Sequence, residues 1–187
     1  MVTVPSCAAC NSEYARDEEY FRTVLVALAG EGCHPEVNRL LAGKVKRGLH
    51  RNARLRADLT KGARPLPQTT PGGLFGGWEC GFEMDTPRLY KGVEKTVRGL
   101  FFYKSGRPLA PGTRVCVFEG NGFWQTPGFG ELLAAMMEPA GVGDDVFSCR
   151  CVRHTPDPEW TAWLFIYYQA LGFFAWTEPA KRSADAA

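Results

Sequence analysis

The chain has 187 residues, 45% of them hydrophobic and 22% charged, with a formal net charge of +2. These totals suit one soluble globular domain, or one domain with a small appendage, long enough to bury a core. A charge so near zero sets aside any global field as an argument for or against nucleic acid, so an electrostatic case has to be local.

The seven cysteines are Cys7, Cys10, Cys33, Cys80, Cys116, Cys149 and Cys151. The N-terminal stretch MVTVPSCAAC has neither a basic segment nor an apolar core, so no signal peptide is expected. A reducing cytoplasm is the expected setting, which favours thiols and metal sites over a disulfide framework.

In chain order, residues 1–15 read as a knuckle and loop. A helix is expected to follow, with Asp17, Glu18 and Glu19 in its first turn and Gly30 at its end. Phe21, Val24, Leu25 and Leu28 give it a buried stripe. A second helical region starts near Pro35, carries Val37, Leu40, Leu41, Val45 and Leu49 at helical spacing, and runs to about Leu59. Gly43 and Gly48 weaken it enough to expect a break. Residues 62–77, GARPLPQTTPGGLFGG, read as a linker or long loop. A strand through WECGFEM follows, then a helix with Thr86 as cap and Leu89, Val93, Val97, Leu100 and Phe101 as its stripe. The last third reads as strands at Thr113 to Phe118, Asp145 to Arg153 and beyond Trp160, interrupted by a short helix around Glu131 to Met137. The aromatic run from Thr161 to Trp176 is shorter than the about 20 residues a spanning helix needs, and Gln169 and Gly172 interrupt it. It reads as two buried strands or one bent strand, and no membrane partner is expected.

The expected class is α+β, with a knuckle at the N-terminus, a helical segment and a mainly antiparallel sheet region. The expected organisation is a knuckle plus basic helical region over 1–61, a linker over 62–77, an α+β region over 78–180 and a frayed tail over 181–187.

Cys7 and Cys10 form a Cys-x-x-Cys pair, in which a tight turn can aim both sulfurs at one metal. The same spacing suits two neutral loop residues or a redox pair, although no βαβ pattern surrounds it. Within the chain, Cys149 and Cys151 with His154 are the best source of further ligands. On a strand those two thiols share a face with Phe147 and Arg153, which is equally the spacing of core positions. Cys80 and Cys116 read as strand-interior thiols that pack as small hydrophobes. His34, His50 and His154 stand in no nucleophile or general-base motif and read as structural or solvated.

The run from Gly43 to Arg64 holds Lys44, Lys46, Arg47, Arg51, Arg54, Arg56, Lys61 and Arg64, opposed by Asp58 alone. On a helix, Lys44, Arg47, Arg51 and Arg54 fall three or four apart and form one face that can track phosphates. The alternative is a solvated face paired with Asp17 to Glu19. No aromatic residue interleaves with the run, so it offers no stacking platform for single strands. The glycine-rich stretches PGGLFGG and EGNGFWQTPGFGE match no nucleotide-binding pattern, and no nucleotide cofactor is expected.

The stretch VPSCAACN followed by DEEYF, within residues 4 to 21, resembles the second half of the motif of HNH-type (ββα-metal) endonucleases, in a bacterial group whose knuckle leads into such a helix. Arg98 to Tyr103 and Trp163 to Phe165 match that group more loosely. The resemblance implies a partial zinc-knuckle or ββα remnant at the N-terminus and a DNA phosphodiester hydrolase by descent, with DNA as partner. It implies that Cys7 and Cys10 belong to a structural zinc site and that Asn11 stands where many members carry a His facing a catalytic divalent metal such as Mg or Mn. It also places the first Cys-x-x-Cys and the Asp-His strand before Val4, where three residues stand. The chain is therefore expected to have an incomplete zinc site and no hydrolytic activity. The alternatives are a non-enzymatic nucleic-acid or protein binding module, or a structural zinc protein.

Overall fold

A computed structural model describes residues 8–119, 127–136 and 140–180, apart from the side chains of 8–11, 13, 16 and 142. Helix α1 spans Ala8–Ala29. It starts well ahead of the expected Asp17, because Ala8, Ala9 and Glu13 favour helix and nothing between them breaks it. The part of the expected loop that falls after Cys7 is therefore helical. Tyr20, Val24, Leu25 and Val26 are buried along α1, while Leu28, expected in the stripe, is exposed.

The second helical region is a chain of short pieces: α2 (Pro35–Leu40), a π-helical turn (Leu41–Val45), α3 (Lys46–Arg51) and α4 (Ala53–Thr60). His34 caps α2. Its Nδ1 accepts the Glu36 backbone N–H at 3.1 Å, and Nε2 donates to the Asp144 carbonyl oxygen at 3.0 Å. The wider π turn lets Leu40 and Val45, five residues apart, both reach the core. The expected break falls at Asn52, where φ is −107° and ψ is 88°. Asn52 then caps α4 by accepting the Leu55 N–H at 2.9 Å.

The stretch read as a linker, 62–77, instead contributes to an antiparallel hairpin. Strand β1 is Arg64–Thr69 and β2 is Phe75–Gly81. The turn between them is tied by the Thr70 and Leu74 backbones at 2.8 Å. The prolines and glycines that suggested a loop sit where a solvated two-stranded ribbon tolerates them.

Helix α5 (Thr86–Ser105) is capped one residue earlier than expected: the Asp85 carboxylate, not Thr86, accepts the Arg88 N–H at 3.1 Å. Its stripe of Leu89, Val93, Val97 and Phe101 is fully buried. The remaining elements are β3 (Arg114–Glu119), α6 (Phe129–Ala135), β4 (Ala140–Val142), β5 (Phe147–Arg153), β6 (Thr161–Tyr167) and β7 (Leu171–Glu178). The aromatic run forms the β6–β7 hairpin, turning at Tyr168 and Gln169, both at positive φ as a tight hairpin turn needs.

The five strands of this second sheet are ordered β3-β7-β6-β5-β4, every neighbouring pair antiparallel. The fold is thus mixed α+β. Alternation along the strands gives the sheet two apolar faces. Trp163, Phe165, Phe173 and Ala175 pack with Cys149 and Cys151 against α1 and α5. Leu164 and Phe174 point the other way and pack with Phe129 and Met136 of the α6 region. No helix among the described residues is long and apolar enough to cross a membrane.

Phe101 is buried where α5 meets this core. Phe101→Ala is expected to destabilise the fold by about 3–5 kcal/mol, because transfer and cavity costs add. Leu28→Ala, at an exposed site, should change stability by less than about 0.5 kcal/mol. Urea unfolding of both variants checks the contrast, and equal losses would contradict the assignment of the core.

Candidate nucleic-acid interface

The apolar residues of the 35–60 region set where its cations point. Val37, Leu40, Val45 and Leu55 are buried, with Leu41, Leu49 and Leu59 packed against the same core. The polar residues between them are left outside. Lys44, Lys46, Arg47, Arg51, Arg54 and Arg56 are all exposed. They do not lie on one straight helix face, as the spacing suggested, because the π turn and the break at Asn52 re-aim the axis twice. They form a bent basic ridge along successive short helices.

None of these six cations makes an ion pair with a described residue. The acidic segment Asp17 to Glu19, the alternative partner, makes no ion pair with them. Glu18 pairs with Lys95 of α5. Glu19 Oε2 accepts from Asn52 Nδ2 at 2.9 Å. Its other oxygen lies against Gly48, where a Cβ would meet it at 2.9 Å.

Asp17 accepts from Arg88 Nε at 2.6 Å, and Asp58 from Arg88 Nη1 at 3.1 Å. The same guanidinium lies 4.3 Å from the centre of the Tyr20 ring. Tyr20 is buried, which raises its phenol above the ordinary pKa and keeps it a neutral hydroxyl. Its oxygen accepts the Asp85 N–H at 2.7 Å. Sequence reasoning did not single out Arg88. The signal available was Asp85-Thr86-Pro87-Arg88, which was read only as a helix start.

These groups line an open cleft of about 1020 Å³ between α1, α4 and the start of α5. Its walls carry Asp17, Glu19, Asp58, Glu83 and Asp85 against Arg54, Lys61 and Arg88. The carboxylate excess disfavours phosphate inside the cleft, so the cations suited to attracting anions are those away from its wall: Lys44, Lys46, Arg47, Arg51 and Arg56, with Arg54 at its edge.

Of the expected metal residues, Cys7 lies outside the described residues. Cys10 and Asn11 fall within α1, with side chains outside the described set. Among the described residues, no group of three or more His, Cys, Asp or Glu is placed to hold a metal ion. Cys149 and Cys151 do share a face of β5, and it is the core face. Lys104 Nζ donates to Cys151 Sγ at 3.0 Å, which puts an ammonium beside a sulfur that a zinc ion would need. That pair therefore does not fit a zinc site, and exposed His154 at the strand end does not complete one. His50 is exposed on α3. Cys116 is half-buried on β3 and Cys80 is exposed on β2, so Cys80 does not pack as the interior thiol expected.

No family model, curated protein or solved structure matches the chain.

Desolvation raises the pKa of the Cys149 thiol, the nearby Lys104 ammonium only partly offsetting it. At pH 8 an alkylating reagent is expected to modify exposed Cys33 and Cys80 quickly and Cys149 only after denaturation. Peptide mapping checks this. Rapid native labelling of Cys149 would contradict its place in the core.

Proposed function

We propose that this chain is a nucleic-acid-binding α+β module that holds DNA through its phosphate backbone and does not hydrolyse it. The observation that carries the reading is the bent ridge of Lys44, Lys46, Arg47, Arg51, Arg54 and Arg56, exposed and without ion-pair partners among the described residues. An ordinary solvated helix face tends to interleave its charges. Here the only carboxylate within the run, Asp58, is turned to Arg88. Six exposed cations on short helices whose apolar sides reach the core are suited to displacing counterions from phosphates.

The HNH-like character of residues 4 to 21 supports DNA as the polymer. In this reading Cys7 and Cys10 are a thiol pair with the spacing of a zinc knuckle, with Asn11 at its metal-facing position. No hydrolytic step is assigned to them or to a Mg or Mn ion. A reducing cytoplasm is the setting that fits the exposed thiols of Cys33 and Cys80.

The test is binding of a labelled duplex oligonucleotide at increasing salt. Affinity should fall steeply, with a log–log slope of about 0.9 for each phosphate neutralised. Arg47→Gln with Arg51→Gln should weaken binding to all sequences alike and reduce the slope by about 2. A flat salt response, or no binding at low salt, would overturn the reading. Supercoiled plasmid incubated with the protein and Mg or Mn should stay intact. Cleavage that is lost in Asn11→Ala would overturn the non-hydrolytic part.

A further inference from the structure

The β1–β2 hairpin springs from the end of the basic tract, three residues after α4. Both strands are exposed almost throughout. In a regular strand, residues three apart such as Phe75 and Trp78 face opposite ways. Here the register slips between Gln68 and Thr69, so that Pro67 pairs with Trp78 but Thr69 pairs with Phe75. The extra residue of this bulge returns Phe75 to the face of Trp78. Gly77 makes the bulge possible, at a φ of +129° that side chains rarely adopt. The two rings meet edge to face, 5.6 Å between centres and 70° between planes. Phe75 is 61% and Trp78 67% exposed, a large apolar area to leave in water without a use.

What would cover these rings is indicated by the hairpin's charge and edges. Lys61 and Arg64 stand exposed at its root and follow the basic run in sequence, with Lys61 also on the cleft wall and Glu83 beside Gly62. The hairpin's one carboxylate, Glu79, is bound by Gln68 Nε2. Pro65 and Pro67 have no N–H to offer, so the outer edge of β1 is poorly suited to a partner that adds a strand. Cations leading to exposed aromatic rings are the arrangement that takes a nucleic-acid strand with unstacked bases.

We propose that Phe75 and Trp78 form a stacking platform for unpaired bases of a strand whose phosphates lie along the basic ridge. The proposal rests on the phosphate-binding reading above and adds a preference that the ridge alone does not give. In duplex DNA the bases are stacked on one another and offer the platform no face.

The experiment compares a labelled oligo-dT single strand with a duplex of equal length, at one low salt concentration, by fluorescence anisotropy. The double variant Phe75→Ala/Trp78→Ala should lose about tenfold or more in single-strand affinity, while duplex affinity stays within about twofold. Trp78→Phe, which keeps a ring, should bind the single strand nearly as the parent does. Trp78→Leu, apolar but without a ring, should not. Circular dichroism confirms that each variant is folded, and light scattering follows oligomeric state. Unchanged single-strand affinity in the double variant, equal loss for both substrates, or full binding by Trp78→Leu would overturn the platform while leaving the ridge in place. A dimer that the double variant dissociates would overturn it too, by giving the rings to a second copy of the chain. If the parent protein binds neither oligonucleotide, the phosphate-binding reading fails first and the platform fails with it.

Discussion

The Arg88 guanidinium joins three helices that are far apart in sequence. From the first turn of α5 it pairs with Asp17 of α1 and Asp58 of α4, and its plane covers the ring of buried Tyr20. The Tyr20 hydroxyl closes the arrangement by accepting the N–H of Asp85, the residue that caps α5. Each contact is partly exposed and contributes modestly by itself. Together they satisfy two carboxylates, a guanidinium and a phenol at one junction, where removing any member leaves another charge or donor without its partner.

That junction decides the electrostatics of the surface beside it. The chain carries nearly equal numbers of acidic and basic groups, so a basic surface can exist only where the acids are held elsewhere. Arg88 takes Asp17 and Asp58 and Lys95 takes Glu18, while Glu19 stays against the basic segment itself, hydrogen-bonded to Asn52. The cations of the 44–56 segment are then left facing solvent on helices whose apolar sides are anchored in the core. The cleft gathers five carboxylates around Arg88, Arg54 and Lys61, and the other cations of the segment face solvent. A local basic surface thus arises in a nearly neutral protein by sorting charges rather than by accumulating them.

Much of the fold could be read from the sequence where one periodicity acted alone. The 3.6-residue stripe from Leu89 to Phe101 and the aromatic strands after Trp160 were visible because burial on one face fixes the spacing of the apolar residues. The reading failed where local propensity and tertiary context diverged. Proline and glycine in 62–77 suggested a loop, but a solvated ribbon accepts both, and the bulge at Gly77 uses one of the glycines. The residues after Cys7 were read as a knuckle, but their alanines continue a helix. For the site, the identity of the basic residues was legible, since charge runs are local. Their lack of partners was not, because it depends on Arg88 and Asn52 reaching across more than thirty positions of sequence. Phe75 and Trp78 were equally hidden, since their shared face comes from a register slip that no alternation pattern reveals.

The central claim is that Arg88 is locked in an internal junction while the ridge arginines are available to phosphate. The arginine Nε–H signals in a proton–nitrogen NMR titration with a short DNA duplex test this directly. The account predicts that signals of Arg47, Arg51, Arg54 and Arg56 move as duplex is added, while that of Arg88 stays in place. Movement of Arg88 without the ridge arginines, or no arginine response at low salt with duplex in excess, would contradict it.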